Sequence, residues 1–158
     1  MGPANLEPAS LPCTLPGKRA VNVPVQIDGK DYHITCVSMG NPHCVVFIDR
    51  VDSLDLDAIG PHFENSPLFP ERVNAEFVRV VNPTTLRMRC YERGSGETMA
   101  CGTGACAAVV AAVENGYCPK NTDIQVQVRG GKLLVRYTDE AVHLTGKVHL
   151  IYEANLSY

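Results

Sequence analysis

The stretch ERGSGETMACGTGACAAVVAAVENG, Glu92 to Gly116, decides the fold. From Thr103 to Glu114 nearly every side chain is small and apolar: Ala105, Cys106, Ala107, Ala108, Val109, Val110, Ala111, Ala112 and Val113 follow one another. A helix without a polar face is buried on every side, and small side chains let its neighbours approach closely. Asn115-Gly116 supplies the stop, because glycine accepts the left-handed conformation that ends many helices. At the other end Cys101 sits in a glycine-rich turn, at the mouth of the helix.

The segments on either side read as strands. VNVPVQI, the turn Asp28-Gly29 and DYHITCV predict a hairpin. After the break at Asn41-Pro42, HCVVFID predicts a buried strand. LDLDAIGPHFENSP predicts short helical turns, interrupted near Gly60-Pro61, since proline removes a backbone donor. VNAEFVRVV and TTLRMRCYE predict two strands with Asn82-Pro83 between them, and ERGSGET a polar glycine loop. Beyond the helix come DIQVQV, KLLVRYT and two short strands around VHLTGKVHLIY. Strands and helices do not alternate regularly. The expected class is α+β, a curved, mostly antiparallel sheet of about eight strands around one buried helix. Residues 1–16 hold four prolines and read as an extended lead-in or connector, with the folded domain over 17–158.

A chain of 158 residues is long enough for one domain with a real core. Its net charge of −3 and scattered Lys and Arg argue against nucleic acid or an anionic membrane as partner. No apolar stretch approaches the ~20 residues of a membrane span. The first residues show no charged and apolar signal-peptide pattern, and Leu6 stands where a myristoylation site needs Ser or Thr. Seven cysteines without a CxxC pair suit reduced thiols in a cytosol better than a disulfide framework. All but Cys101 read as small inert hydrophobes.

Cys101 differs because of its place. A helix N-terminus has unpaired N–H groups and the positive end of the dipole. That favours a thiolate, so a lowered thiol pKa is expected. The N–H groups of Gly102, Thr103 and Gly104 are suited to cradle a carboxylate or phosphate. The plain alternative is a helix cap with a cysteine nearby, and for Glu92-Arg93 a solvated ion pair. Gly102 to Ala107 also matches a G-x-G-x-x-A dinucleotide fingerprint, but ETMA and the GSG loop stand where a buried strand should lead in. Asp123 precedes its strand instead of ending it. Nicotinamide or flavin binding is therefore not expected.

Together with GNPHCVVF at 40–47 and ERVNAEFV at 71–78, the stretch ERGSGETMACGTGACAA resembles the second half of the diaminopimelate epimerase family, all three motifs in the right order. The wider superfamily includes proline racemase-like and phenazine-biosynthesis-like proteins. The resemblance implies a fold of two similar domains, each a sheet around a central helix, with the active site between them. It implies a cytoplasmic enzyme of lysine and peptidoglycan-precursor biosynthesis. That enzyme interconverts LL- and meso-diaminopimelate with neither pyridoxal phosphate nor metal. One cysteine takes the α-proton as thiolate and another gives a proton to the opposite face as thiol, a base and an acid on two sides of one carbon.

Carried onto this chain, the resemblance makes Cys101 one acid/base and Glu92 its helper. Gly102 and Thr103 hold the reacting carboxylate. Asn41, Asn74, Glu92 and Arg93 bind substrate, and His43 assists the other cysteine. Cys44, one residue on, is expected to face the opposite side of the sheet as core. The sequence departs from the family in one respect: no second Cys-Gly-x-Gly turn occurs in it. The other cysteine is then expected from a partner half-domain, and the isolated chain is expected to be inactive. Family members often form homodimers, and the C-terminal strands are candidates for pairing across such an interface. Two other readings stand beside this one: a non-catalytic binding or assembly module of the same fold, and a related isomerase for another substrate such as a proline derivative.

Overall fold

The computed structural model describes residues 1–156. Nine strands form one sheet: β1 Val23–Ile27, β2 Lys30–Ser38, β3 Pro42–Phe47, β4 Asn74–Asn82, β5 Thr85–Glu92, β6 Gly96–Thr98, β7 Asp123–Val128, β8 Gly131–Tyr137 and β9 Val142–Thr145. The order is β1-β2-β3-β4-β5-β7-β8-β9, with β6 paired to β5 off that path. Two neighbours are parallel, β3 with β4 and β5 with β7, and the other pairs are antiparallel. The two helices are α1, Leu56–Glu64, and α2, Gly102–Glu114. The α+β class and the mostly antiparallel sheet around a buried helix are as expected.

The helix α2 is the pivot. Ala105 through Ala112 are fully buried, and the helix packs against β2 to β5 and β7 to β9. A thirteen-residue helix is marginal alone in water, so this burial holds it. Its C-terminus closes in a Schellman motif: the Tyr117 N–H donates to the Ala112 carbonyl at 2.8 Å, and that of Gly116, at φ +77°, to the Val113 carbonyl at 3.0 Å.

The strands alternate between two cores. On β3, Val45 faces α2, while Cys44 and Val46 face the opposite side with Phe63 and Phe77. The second core is covered by α1 and by the lead-in. Leu11 and Leu15 are buried there and Leu6 on the α2 side, so residues 1–16 are seated on the body, with one 3-10 turn at Pro8–Ser10.

Three local expectations need correction. α1 runs through Pro61 without interruption. The Asp57 carbonyl that loses its donor belongs to an exposed residue, so the lost bond does not leave a buried group unsatisfied. The glycine loop after β5 folds back as β6, since Gly94 and Gly96 adopt positive φ and turn the chain onto Cys90, Tyr91 and Glu92. Of the two short strands expected at the C-terminus only β9 forms among the described residues. Residues 147–156 form no helix or strand, with Val148, Leu150, Ile151 and Tyr152 exposed.

Candidate active site

Strand periodicity brings the candidate residues to one face. His43 on β3 is in register with Asn74 on β4; two residues on, Glu76 pairs with Cys90 on β5, and Cys90 with Thr98 on β6. Residues two apart share a face, so His43, Asn74, Glu76, Cys90 and Glu92 all lie on the side of the sheet that carries α2.

Cys101 is the N-cap of α2, in extended conformation at φ −126°. Its sulfur accepts the Gly104 N–H at 3.3 Å, the role an Asp or Ser oxygen usually fills. That N–H is therefore engaged. Those of Gly102 and Thr103, the first two helical residues, have no intrahelical acceptor and lie partly exposed. The Thr103 Oγ1 stands 3.6 Å from the Cys101 sulfur.

Behind the sulfur runs a chain of polar contacts. Asn41 Nδ2 donates to Thr103 Oγ1 at 3.3 Å. Asn41 Oδ1 lies 3.0 Å from Nε2 of His43, and Nδ1 of His43 lies 2.7 Å from Oε1 of Glu76. His43 and Glu76 are both fully buried. The close approach depends on Gly104, where a Cβ would stand 2.7 Å from Glu76 Oε1 and 3.1 Å from the Cys101 sulfur.

The electrostatics correct the expectation for Cys101. Its thiol is pushed up, first by burial and then by the Glu76 carboxyl. The Thr103 hydroxyl and the Gly104 N–H pull it down without prevailing. At neutral pH Cys101 is a thiol, and the helix end moderates that outcome but does not reverse it. Burial also lifts Glu76 above the usual carboxylic acid range, against the pull of His43.

Glu92 and Arg93 diverge and form no ion pair. Glu92 turns inward and accepts from the Thr98 hydroxyl, which stands 3.2 Å from the Cys90 sulfur. The one hydroxyl hydrogen of Thr98 goes to Glu92, so the Cys90 S–H is the donor of that pair, and burial takes this thiol up to about 12. Arg93 turns outward to the Glu71 carbonyl at 3.1 Å. Asn74 is a clamp: its amide donates to the Pro42 carbonyl and accepts the Arg93 N–H, each at 2.9 Å. Glu64, at the end of α1, holds the same loop by accepting the Gly94 N–H at 2.8 Å.

The structure thus gathers Cys101, Thr103, Asn41 and His43 into one chain, with Gly102 at the same helix end. Asn74 and Arg93 meet in a neighbouring loop, and Glu92 joins a second short chain. Glu76 was not singled out by the sequence reading, although an acid between Asn74 and Val78 on a core-facing stripe is a visible signal. Among the described residues, no group of three or more His, Cys, Asp or Glu is arranged to hold a metal, and no helix is long and apolar enough to cross a membrane.

Residues 35–151 match the family model for diaminopimelate epimerase. The chain belongs to the diaminopimelate epimerase family. It is 45% identical over 157 residues to a diaminopimelate epimerase of Microcystis aeruginosa, covering 97% of this chain and 55% of the relative. It is 49% identical over 155 residues to one from Desulfovibrio desulfuricans, covering 92% and 53%. The chain therefore spans about half the length of the curated relatives it matches. Among solved structures it resembles a phenazine biosynthesis protein of the PhzF family from Enterococcus faecalis. The TM-score is 0.51 at 13% identity, over 68% of this chain and 40% of that one, a likeness of fold alone.

Proposed function

We propose that this chain forms one half of the active site of an epimerase that interconverts LL- and meso-diaminopimelate, with Cys101 as one of its two acid/base groups. The observation that carries this reading is the Cys101 sulfur at the α2 N-terminus, backed by Thr103, Asn41 and His43 and flanked by two N–H groups without intrahelical acceptors. A thiol held up by burial is a proton donor at neutral pH. In this reading a thiolate on a second half-domain removes the α-proton, and Cys101 gives its proton to the opposite face of the planar carbanion. In the reverse direction the roles exchange.

The Gly102 and Thr103 N–H groups receive the substrate carboxylate, where the helix dipole stabilises the charge that spreads onto it in the carbanion. Glu92 raises the energy of the Cys101 thiolate by its negative charge and so favours return of the proton. Arg93 and Asn41 meet the distal amino-acid end, and Asn74 acts by fixing the backbone of Arg93. His43 supports Asn41 from beneath. The chemistry needs neither pyridoxal phosphate nor metal, because two thiols supply both proton steps.

The exposed apolar segment Val148 to Tyr152, with Met99 60% exposed beside Cys101, suits burial against the second half-domain. The same exposed apolar segment suits burial across a homodimer. A place in lysine biosynthesis in the cytoplasm accompanies this assignment.

The test is deuterium incorporation at the α-carbon of diaminopimelate in D2O, with this chain alone and with a half-domain carrying the second cysteine. Exchange is expected only with both halves. It is expected to fall about 100- to 10,000-fold in Cys101→Ser, the usual contribution of a positioned acid/base. Absence of exchange in a substrate-bound, reassembled complex rejects the reading. Exchange into proline derivatives instead assigns another substrate.

A further inference from the structure

The reading above leaves Glu76 without a part. It is fully buried in an apolar sheet, its Oε1 faces His43, and its Oε2 has no hydrogen-bond partner. Replacing a buried, half-satisfied acid by an apolar side chain of similar volume is often neutral or stabilising, so packing alone does not account for it. The titratable groups around it are Cys36 from β2, His43 from β3, Cys90 and Glu92 from β5 and Cys101 from α2. His43 is the basic one among them.

The pair they form sets a direction. An ionised Glu76 accepts Nδ1–H from a doubly protonated His43, or a protonated Glu76 donates to a bare Nδ1. In both neutral arrangements the hydrogen on Nε2 is present. A bare Nε2 requires either a buried carboxylate with no compensating charge or a neutral Glu76 whose hydrogen sits on Oε2, where it has no acceptor, and both leave a buried polar group unsatisfied. Nε2–H therefore donates to Asn41 Oδ1 at 3.0 Å. The Asn41 Nδ2 then faces Thr103 Oγ1 at 3.3 Å, and the hydroxyl hydrogen of Thr103 is left for the Cys101 sulfur at 3.6 Å.

We propose that Glu76 is a positioning residue for Cys101. Through His43 and Asn41 it directs the Thr103 hydroxyl toward the sulfur, and that hydrogen bond offsets part of the cost that a carboxyl so close by sets on the thiolate left when Cys101 has given up its proton. The inference rests on Cys101 being the acid/base of the proposed epimerase.

Two measurements test it without reference to epimerase activity. Nitrogen-15 NMR of the unaltered chain is expected to show His43 Nε2 protonated from about pH 5 to 8, the range over which a free imidazole loses its charge. A bare Nε2 near the middle of that range overturns the proposal. The second is the pH profile of Cys101 alkylation by iodoacetamide, followed by peptide mass spectrometry, in E76L, T103V and the double variant. E76L is expected to change the rate by factors that differ at least about 3-fold between the unaltered and T103V backgrounds, because both changes break one chain. E76Q, which keeps a hydrogen bond to Nδ1, is expected to restore the profile to within about 2-fold, a small change on the same scale. Factors that multiply independently, or an E76L chain with the unaltered profile, reduce Glu76 to a structural residue. Should E76L not fold, the NMR result decides alone. In the two-half enzyme E76L is expected to lower kcat with KM little changed. A complete enzyme without exchange rejects the epimerase reading and leaves the coupling result standing.

Discussion

At the scale of single residues the site depends on close approach. Gly104→Ala places a Cβ 2.7 Å from Glu76 Oε1, so either the carboxyl or the helix end must move. The expected loss is about 1–3 kcal/mol in urea denaturation, as for other overpacked sites, with an altered rate of Cys101 alkylation. Asn74→Ala removes two hydrogen bonds at a buried position and leaves the Pro42 carbonyl without its donor. About 1–3 kcal/mol of stability is expected to go with it, together with a weaker grip on the Arg93 loop, seen as faster hydrogen exchange at the Arg93 amide. Cys101 was legible as a singular residue because its turn is glycine-rich and opens an apolar helix. The direction of its pKa shift was not legible. The helix end is visible in sequence, whereas the burial and the Glu76 carboxyl that outweigh it arrive from β4, some 25 residues earlier in the chain.

At the scale of elements α2 sets the tolerance of the fold. Ala108→Leu is expected to cost about 1–3 kcal/mol, because the position is fully buried and the helix touches strands on all sides. Gly116→Ala is expected to cost about 1 kcal/mol or somewhat more by strain at φ +77°, measured as a lower thermal midpoint. The helix, the β1-β2 hairpin and the alternation of β3 and β4 were readable from local pattern. β6 and the continuous α1 were not. Three residues of polar strand carry no periodic signal, and a proline inside a helix is tolerated only where solvent reaches the freed carbonyl, which depends on the side the helix exposes.

At the scale of the whole molecule the buried thiols set a pH dependence. Burial lifts Cys106 to about 11 and Cys90 to about 12. An unfolded thiol ionises near 8.5, so above that value the unfolded chain binds fewer protons than the folded one. Stability is then full below about pH 8.5 and is expected to fall as pH rises toward 11–12. Urea midpoints across that range check it, and a flat profile contradicts the burial assigned to these cysteines. The sequence by itself determined the α+β class, the helix at the centre and the cysteine at its mouth, because these follow from local hydrophobic period and turn chemistry. Only the tertiary structure decided which polar groups stand behind that cysteine. Glu76, His43, Asn41 and Thr103 come from β4, from β3 and the residue preceding it, and from α2, and meet because strand register and a missing Cβ at Gly104 bring them within hydrogen-bond reach.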